Sequence, residues 1–184
     1  MSEKNTNKYA IVDLEATSAS STASIIQVGI VIMQNGQVVD EFASDVNPHQ
    51  ELDEHIVHLT GITDQQLAQA PDFSEIARTI FELIEDCIFV AHNVKFDANL
   101  LAEALFMEGF ELRTPRVDTV ELAQVFYPTF EQYKLSHLSK VLNLDLAQAH
   151  TAIEDARATG QLLFHLMDKI ASLPRQTIEM LLTF

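Results

Sequence analysis

The first half of the chain carries a pattern typical of consecutive antiparallel strands. Residues 24–33 (Ser-Ile-Ile-Gln-Val-Gly-Ile-Val-Ile-Met) are almost continuously apolar, which predicts a buried strand. Asn35-Gly36 follows, and this dipeptide is typical of a tight hairpin turn into a further strand over residues 37–46. Because the apolar run of residues 9–12 precedes them, we expect three strands to open the fold.

The second half predicts helices that alternate with short strands. Asp72 and Glu75 form an N-capping pattern before a helix with apolar residues at helical spacing. The other predicted elements are short strands at residues 87–91 and 117–118, and helices over residues 96–107 (capped by Gly109), 119–125, 136–142 and 152–172. This layout predicts an α/β protein with a mixed sheet.

Size and composition predict a single globular domain. The chain has 184 residues, of which 47% are hydrophobic and 21% charged. No apolar stretch approaches the roughly 20 residues that a membrane-spanning helix needs, and the polar first eight residues do not resemble a signal peptide. We therefore expect a cytoplasmic protein without a membrane partner. The single cysteine, Cys87, lies in an apolar run and is expected to be a buried, inert thiol.

The net charge of −16 limits which partners the chain can bind tightly. With 27 acidic residues against 11 Lys plus Arg, the field of the whole protein repels polyanions. This charge argues against a tight nucleic-acid-binding module. It is compatible with an enzyme that acts on one phosphodiester, because a bound cation inverts the local electrostatics.

Two acidic residues stand at the end of the first predicted strand. Asp13 and Glu15 follow the apolar run of residues 9–12, where the strand is expected to leave the core. Side chains at positions i and i+2 of a strand share one face, so the two carboxylates converge. Such a pair suits a hard divalent cation. An isolated pair of this kind is more often a solvated strand end with two surface acids.

Two further acids and a histidine also lie at the ends of predicted elements. Asp97 follows a buried strand, and Asp155 lies near the start of the last long helix, five residues after His150. Two carboxylates about 4 Å apart repel by about 4 kcal/mol at an effective dielectric constant near 20. Two Mg²⁺ or Mn²⁺ ions would offset four carboxylates, and the ligand types do not resemble a zinc site. A histidine with a pKa near 6.5 suits proton removal from an attacking water, although alone it would be interpreted as a surface histidine.

Three segments carry a family resemblance in the right order. They are Asp13-Leu14-Glu15-Ala16-Thr17, His92-Asn93-x-x-Phe96-Asp97 and His150-x-x-x-x-Asp155. The chain resembles the DnaQ-like (DEDDh) 3′-to-5′ exonucleases of the ribonuclease H-like superfamily from about residue 9 to residue 167. The resemblance implies a central mixed five-stranded sheet flanked by helices and a two-metal exonuclease. It also implies that the metal ligands are Asp13, Glu15, Asp97 and Asp155 and that the general base is His150.

The same resemblance implies residues that contact the substrate. They are Leu14 and Thr17 at the 3′ nucleotide, Thr60 in the segment Leu59-Thr60-Gly61-Ile62-Thr63, and Asn93 and Phe96 beside the second motif. The alternatives are that residues 59–61 form an ordinary turn and that Phe96 is a core aromatic. Two positions depart from the family pattern: Ser18 replaces a common glycine, and Gln27 replaces a common glutamate.

Residues 86–94 (Asp-Cys-Ile-Phe-Val-Ala-His-Asn-Val) and 173–177 (Leu-Pro-Arg-Gln-Thr) resemble the N-terminal exonuclease region of certain bacterial DinG-like helicase proteins. A polymerase III epsilon-type proofreading exonuclease is the nearest alternative. We therefore expect a flexible N-terminus over residues 1–8, an exonuclease domain over residues 9–172 and a helical tail over residues 173–184. The apolar tail either packs against the body or leads into a missing domain. Possible partners are a covalently linked helicase domain or a polymerase.

Three functions follow as hypotheses. The first is removal of nucleoside 5′-monophosphates from single-stranded DNA 3′ ends, with RNA ends as a possible second substrate. The second is an oligoribonuclease or another RNA-directed exonuclease of the same superfamily. The third is a catalytically idle interaction domain that uses its acidic surface and apolar tail; intact ligand positions argue against it.

Overall fold

The computed structural model describes residues 7–20, 22–145 and 151–173, which form five strands and seven helices. The strands are β1 (Lys8–Ala16), β2 (Ile25–Gln34), β3 (Gln37–Asp45), β4 (Ile88–Ala91) and β5 (Arg116–Asp118). The helices are α1 (Glu54–Thr60), α2 (Asp64–Leu67), α3 (Phe73–Ile84), α4 (Val94–Met107), α5 (Thr119–Phe126), α6 (Leu135–Leu142) and α7 (Ala152–Ala171).

The five strands form one mixed sheet in the order β3-β2-β1-β4-β5. The strands β1, β2 and β3 pair antiparallel, whereas β4 pairs parallel to β1 and β5 parallel to β4. Asn35 and Gly36 have φ values of 54° and 77°, as the predicted tight hairpin requires. The α/β fold with a central mixed five-stranded sheet is therefore confirmed.

Helices cover both faces of the sheet, and the alternation of β1 decides which residue faces which layer. Ala10, Val12 and Leu14 pack in one core cluster with residues of α3 and α4. Tyr9 and Ile11 pack on the opposite face in a cluster with residues of α7. Because side chains of a strand alternate with a period of two, Asp13 and Glu15 share the α7 face.

Strand β1 extends past the end of its parallel neighbour. Its pairing with β4 ends at Ile11 and Val90, but its pairing with β2 continues to Ala16. The prediction that Asp13 and Glu15 stand where the strand leaves the core was therefore wrong in detail. They lie inside β1, at the point where it has lost one neighbour and kept the other.

Helix α7 approaches β2 closely at its first turn. A Cβ atom built on Gly29 would lie 2.2 Å from the carbonyl carbon of Ala152, so the backbones of α7 and β2 leave no room for a side chain there. Gly29 is the Cα partner of Asp13 in the ladder between β1 and β2. The first turn of α7 is thereby held next to the acidic residues of β1.

Apart from the end of β1, the bounds predicted for the strands and helices agree with the structure to within two residues. Helix α4 begins at Val94, two residues before the predicted start. The side chain of Asp118, 24 positions away at the end of β5, accepts the Val94 N–H and caps the helix there. Helices α1 and α2 were not predicted; they have seven and four residues, and Leu67 is their only buried residue. The expected flexible N-terminus and helical tail lie largely outside the described residues, and β1 already includes Lys8.

Within the part of the chain that the structure describes, no helix combines the length and apolarity needed to cross a bilayer. The thiol of Cys87 is buried, as expected, and burial raises its pKa.

Candidate active site

Three carboxylates converge above the α7 face of the sheet. Asp13 and Glu15 come from β1, and Asp155 comes from the first turn of α7. One oxygen of each side chain lies within 4.8 Å of the others. Two oxygens that bind one cation at about 2.1–2.5 Å lie no more than about 5 Å apart, so the three side chains fit a hard divalent ion. The structure therefore brings together three of the four predicted ligands in a single group.

The fourth predicted ligand, Asp97, lies beside this group and is held by the backbone of the first motif. Its side chain is buried, and its Oδ1 accepts a hydrogen bond of 3.0 Å from the N–H of Leu14, the residue between Asp13 and Glu15. A buried N–H without a partner costs about 1–3 kcal/mol, so this bond stabilises the end of β1. The same bond joins the first and second sequence motifs.

The acidic residues of the site are costly to ionise in the metal-free protein. Burial raises the pKa of Asp13 well above its usual range, and the charges of Asp97, Asp155 and Glu15 raise it further. Burial, followed by the charge of Asp155, raises the pKa of Glu15 to about 7. Burial also raises the pKa of Asp97 to about 7, although the bond from Leu14 opposes this shift. A bound cation would relieve this repulsion.

Asp118 has a role that the sequence did not predict beyond its place at the end of a strand. The Asp118 carboxylate accepts hydrogen bonds from the N–H groups of Asn93 (3.1 Å), Val94 (3.1 Å) and Val120 (2.8 Å). It thus caps α5 locally and also caps α4, because Asn93 supplies no side-chain cap and has a φ of 75°. The local cap could have been found, since Asp118 and Glu121 have the spacing of a capping box.

His92 has a structural role next to the second motif. Its Nε2–H donates to the carbonyl of Tyr133 at 2.7 Å, and its Nδ1 lies 2.9 Å from the hydroxyl of Thr119. Burial lowers the pKa of His92, which favours the neutral ring that these contacts suit. Both ring nitrogens are engaged, so His92 ties β4 to the loop before α6.

Two of the predicted substrate residues line a cleft at the start of α4. Asn93 and Phe96 border a cavity of about 310 Å³, together with Lys95 and Asn99. Phe96 is only half-buried, so the interpretation as a core aromatic does not account for all of its surface. The cleft therefore contains an aromatic face, two amides and charged groups of both signs, since Glu103 also lines it.

The other predicted substrate residues have contacts that maintain local structure. The Leu14 side chain is buried in the core. The Thr17 N–H donates to the Ser24 carbonyl at 2.9 Å, and the Thr17 hydroxyl accepts from the Ser24 N–H at 3.0 Å. The Thr60 hydroxyl donates to the Ile56 carbonyl at 2.8 Å and accepts from the Ile62 N–H at 3.1 Å. Their contacts with a nucleotide stay predictions.

His150, the predicted general base, lies outside the described residues. The described chain resumes at Thr151, the N-cap residue of α7, whose carbonyl accepts the N–H of Asp155 at 3.0 Å.

Comparison with known proteins places the chain in a family. The exonuclease family model (RNase_T) matches residues 10–163, so the chain belongs to the exonuclease family. This membership confirms the family and the enzyme class that the three motifs predict. The chain is 39% identical over 175 residues to the 3′-5′ exonuclease DinG of Staphylococcus aureus (strain USA300) and 36% identical over 180 residues to that of Bacillus subtilis (strain 168). These alignments cover 94% and 96% of this chain but only 20% and 19% of the relatives, so the chain spans about one fifth of their length.

Solved structures share the fold. Exonuclease X in complex with 5′ overhanging duplex DNA superposes with a TM-score of 0.73 at 21% identity, covering 93% of this chain and 98% of that one. The nuclease domain of 3′hExo, a DEDDh family member bound to rAMP, superposes with a TM-score of 0.77 at 16% identity, covering 94% and 98%. Exonuclease I superposes with a TM-score of 0.77 at 17% identity, covering 95% and 45%. The ribonuclease H-like fold is thereby confirmed.

The three bonds to Asp118 predict a cost for its removal. Asp118→Ala should lower the free energy of unfolding by about 2 kcal/mol, because it leaves N–H groups of α4 and α5 without their acceptor. Chemical denaturation measures this change. Asp53→Ala is the matched control, since Asp53 is the N-cap residue of α1 but makes no side-chain cap bond. Equal effects of the two variants would contradict the capping role.

The raised pKa values predict an unusual pH dependence of stability. The unfolded carboxyls titrate near pH 4, whereas Glu15 and Asp97 titrate near pH 7 in the folded protein. Between these values the folded chain binds more protons than the unfolded chain, so the free energy of unfolding falls as pH rises. In chelator, the Tm should fall from pH 5 to pH 7.5, and Mn²⁺ should raise the Tm more at pH 7.5 than at pH 5.

Substitutions distinguish the contribution of Glu15 to the pH dependence of the Tm from that of the acidic surface. Glu15→Gln should make the Tm less dependent on pH, whereas Glu51→Gln, at an exposed position, should leave the pH dependence unchanged. A metal-free Tm that rises between pH 5 and pH 7.5 would show that the cluster is not strained.

Proposed function

We propose that this chain is a 3′-to-5′ exonuclease domain that removes nucleoside 5′-monophosphates from single-stranded DNA 3′ ends with two divalent cations, Mg²⁺ or Mn²⁺. The observation that supports this proposal most is the convergence of Asp13, Glu15 and Asp155, with oxygens within 4.8 Å of one another. Asp97 lies beside them and accepts a hydrogen bond from the N–H of Leu14. The direction of degradation is inferred from the relatives, which carry the name 3′-5′ exonuclease.

Each residue has a role in this proposal. Asp13, Glu15, Asp97 and Asp155 would hold the cations; when bound, the cations would polarise the phosphodiester and favour deprotonation of an attacking water. His150 would accept the proton of that water, a role that suits the ordinary pKa range of histidine. Phe96 offers a face on which a base can stack, and Asn93 offers an amide to the sugar or base.

The choice of DNA as substrate is a second part of the proposal. Among the solved structures of similar fold, one exonuclease I structure holds a dA16 oligonucleotide, and another structure concerns a histone mRNA stem-loop. The fold therefore does not decide between DNA and RNA. The names of the DinG relatives state no substrate either. We propose a single-stranded DNA 3′ end, with an RNA-directed exonuclease as the alternative, and a comparison of the two substrates decides between them.

The link to a larger protein is also proposed. Because the chain spans about one fifth of its relatives, we propose that its activity is delivered to DNA ends by further parts of a longer protein, with a helicase domain as the expected partner and a polymerase as the alternative.

The proposed activity has a direct assay. With Mn²⁺ or Mg²⁺, the purified chain should shorten a 5′-labelled single-stranded DNA one nucleotide at a time and release nucleoside 5′-monophosphates, and a chelator should abolish the reaction. A 3′-phosphorothioate oligonucleotide is the substrate control, and an RNA of the same sequence tests the alternative. An intact DNA 3′ end in the presence of an active control nuclease would overturn the proposal.

Substitutions of the acids and of the histidine should have different effects, because their proposed roles differ. Asp155→Ala should abolish turnover and weaken Mn²⁺ binding measured by calorimetry. His150→Ala should lower kcat by about 10²–10⁴-fold yet retain Mn²⁺ binding, because a base acts on the water and not as a ligand. His55→Ala, on the exposed surface of α1, is the matched control. A kcat unchanged by His150→Ala would remove this residue from the base role.

A further inference from the structure

We propose that Gln27 and Asp45 form a polar relay that positions the first turn of α7, and with it Asp155, above Asp13 and Glu15. Gln27 is thereby a positioning residue for the metal ligands. The inference rests on the proposed function and identifies a determinant of that same site.

The relay consists of three hydrogen bonds that converge on the carboxylate of Asp45. The Gln27 Oε1 accepts from the N–H of Ala152 at 2.9 Å, and the Gln27 Nε2 donates to Oδ1 of Asp45 at 2.8 Å. Oδ2 of Asp45 accepts from the side-chain amide of Gln66 at 2.7 Å. The start of α7 is thus connected through β2 and β3 to α2.

The relay supplies a hydrogen-bond acceptor to the N-terminus of α7 from outside the helix. The first N–H groups of a helix have no partner within the helix, and Thr151, the N-cap residue, makes no side-chain cap bond. Gln27 accepts one of these N–H groups from a strand that is 125 positions away in the chain. The cap is therefore tertiary, and it fixes where the helix begins relative to the sheet.

The sheet register places this cap beside the ligands. Gln27 is the Cα partner of Glu15, and Gly29 is the Cα partner of Asp13. Directly opposite residues of an antiparallel pair share a face, so Gln27, Gly29 and both acids face α7. The close approach at Gly29 sets the distance of α7 from the sheet, and the bond from Ala152 sets its position along β2. Asp155 follows within the same helical turn.

The relay needs an amide at position 27 and a carboxylate at position 45. Gln27 accepts on one side and donates on the other, which a carboxylate cannot do. Gln27→Glu would face the carboxylate of Asp45 at hydrogen-bond distance and would repel it. Asp45→Asn added to Gln27→Glu would reverse the polarity: the new carboxylate accepts from Ala152 and from the new amide, whose oxygen accepts from Gln66.

The relay is tested by exchanging the amide at position 27 and the carboxylate at position 45. We would compare the wild type, Gln27→Glu, the double variant Gln27→Glu/Asp45→Asn, and Gln37→Glu, a matched charge change at an exposed position of β3. The readouts are kcat and KM on labelled single-stranded DNA, the Mn²⁺ affinity by calorimetry, and hydrogen exchange of the Ala152 amide in chelator.

Gln27→Glu should lower kcat by at least about tenfold and weaken Mn²⁺ binding by a similar factor, with KM nearly unchanged and faster exchange at Ala152. The double variant should recover all of these values to within about threefold, and Gln37→Glu should behave as the wild type. If Gln27→Glu does not fold, Gln27→Met removes both bonds without adding a charge and should show the same kcat and exchange defects.

Two results would overturn the relay: wild-type kcat and Ala152 protection in Gln27→Glu or Gln27→Met, or a double variant no better than Gln27→Glu. An inactive wild type would instead contradict the proposed function. The exchange and calorimetry readouts would still decide the relay in that case, because neither depends on turnover.

Discussion

The unequal length of two neighbouring strands is the constraint on which the site depends. The pairing of β4 with β1 stops at Val90, but β1 continues to Ala16 beside β2, so the N–H of Leu14 lies beyond the parallel ladder. The carboxylate of Asp97 replaces the missing strand and accepts this N–H. Asp97 can do so because the chain turns from β4 into α4 at the same level. The first and second motifs therefore meet as a consequence of sheet geometry.

The acidic residues of the site differ in how the protein balances their charge. Asp118 accepts three backbone N–H groups, and Asp97 accepts one from Leu14, so part of their charge is compensated by the backbone. For Asp13 and Glu15, burial and neighbouring acids raise the pKa instead. Carboxylates with several backbone N–H partners maintain the fold, whereas carboxylates with raised pKa values gain most from a bound cation. Asp97 belongs to both groups, since its pKa is also raised to about 7.

Much of this arrangement could be predicted from the sequence, because its signals are local. The alternation of β1, the turn at Asn35-Gly36 and the capping pattern at Asp72 each depend on a few adjacent residues, and the structure confirms them. The family followed from three motifs in order. Such patterns predict the structure correctly where a short segment determines its own conformation.

The parts that could not be predicted depend on contacts between distant segments. The second cap made by Asp118 reaches α4 across 24 positions, and the Gln27 bond reaches α7 across 125. In the sequence Gln27 is only a departure from a family pattern, whereas in the structure it joins Asp45 to the first N–H of α7. Helices α1 and α2 were missed because their lengths of seven and four residues give too few apolar repeats to detect.

The strongly acidic composition can coexist with a site for a phosphodiester because charge acts locally. Three of the arginines are neutralised by glutamates: Arg78 by Glu82, Arg113 by Glu111 and Arg157 by Glu41. At the cleft the charges are mixed, since Lys95 and Glu103 both line it, and Arg116 donates to Asn99, another lining residue, at 2.8 Å. At physiological salt a charge is screened beyond about 8–10 Å, so a cation bound to Asp13, Glu15 and Asp155 would act on a nearby phosphodiester more strongly than the distant surface acids. The net charge of the whole chain, −16, opposes tight binding along a long polyanion. An arrangement of this kind favours contact with a few nucleotides over tight binding along a long polyanion.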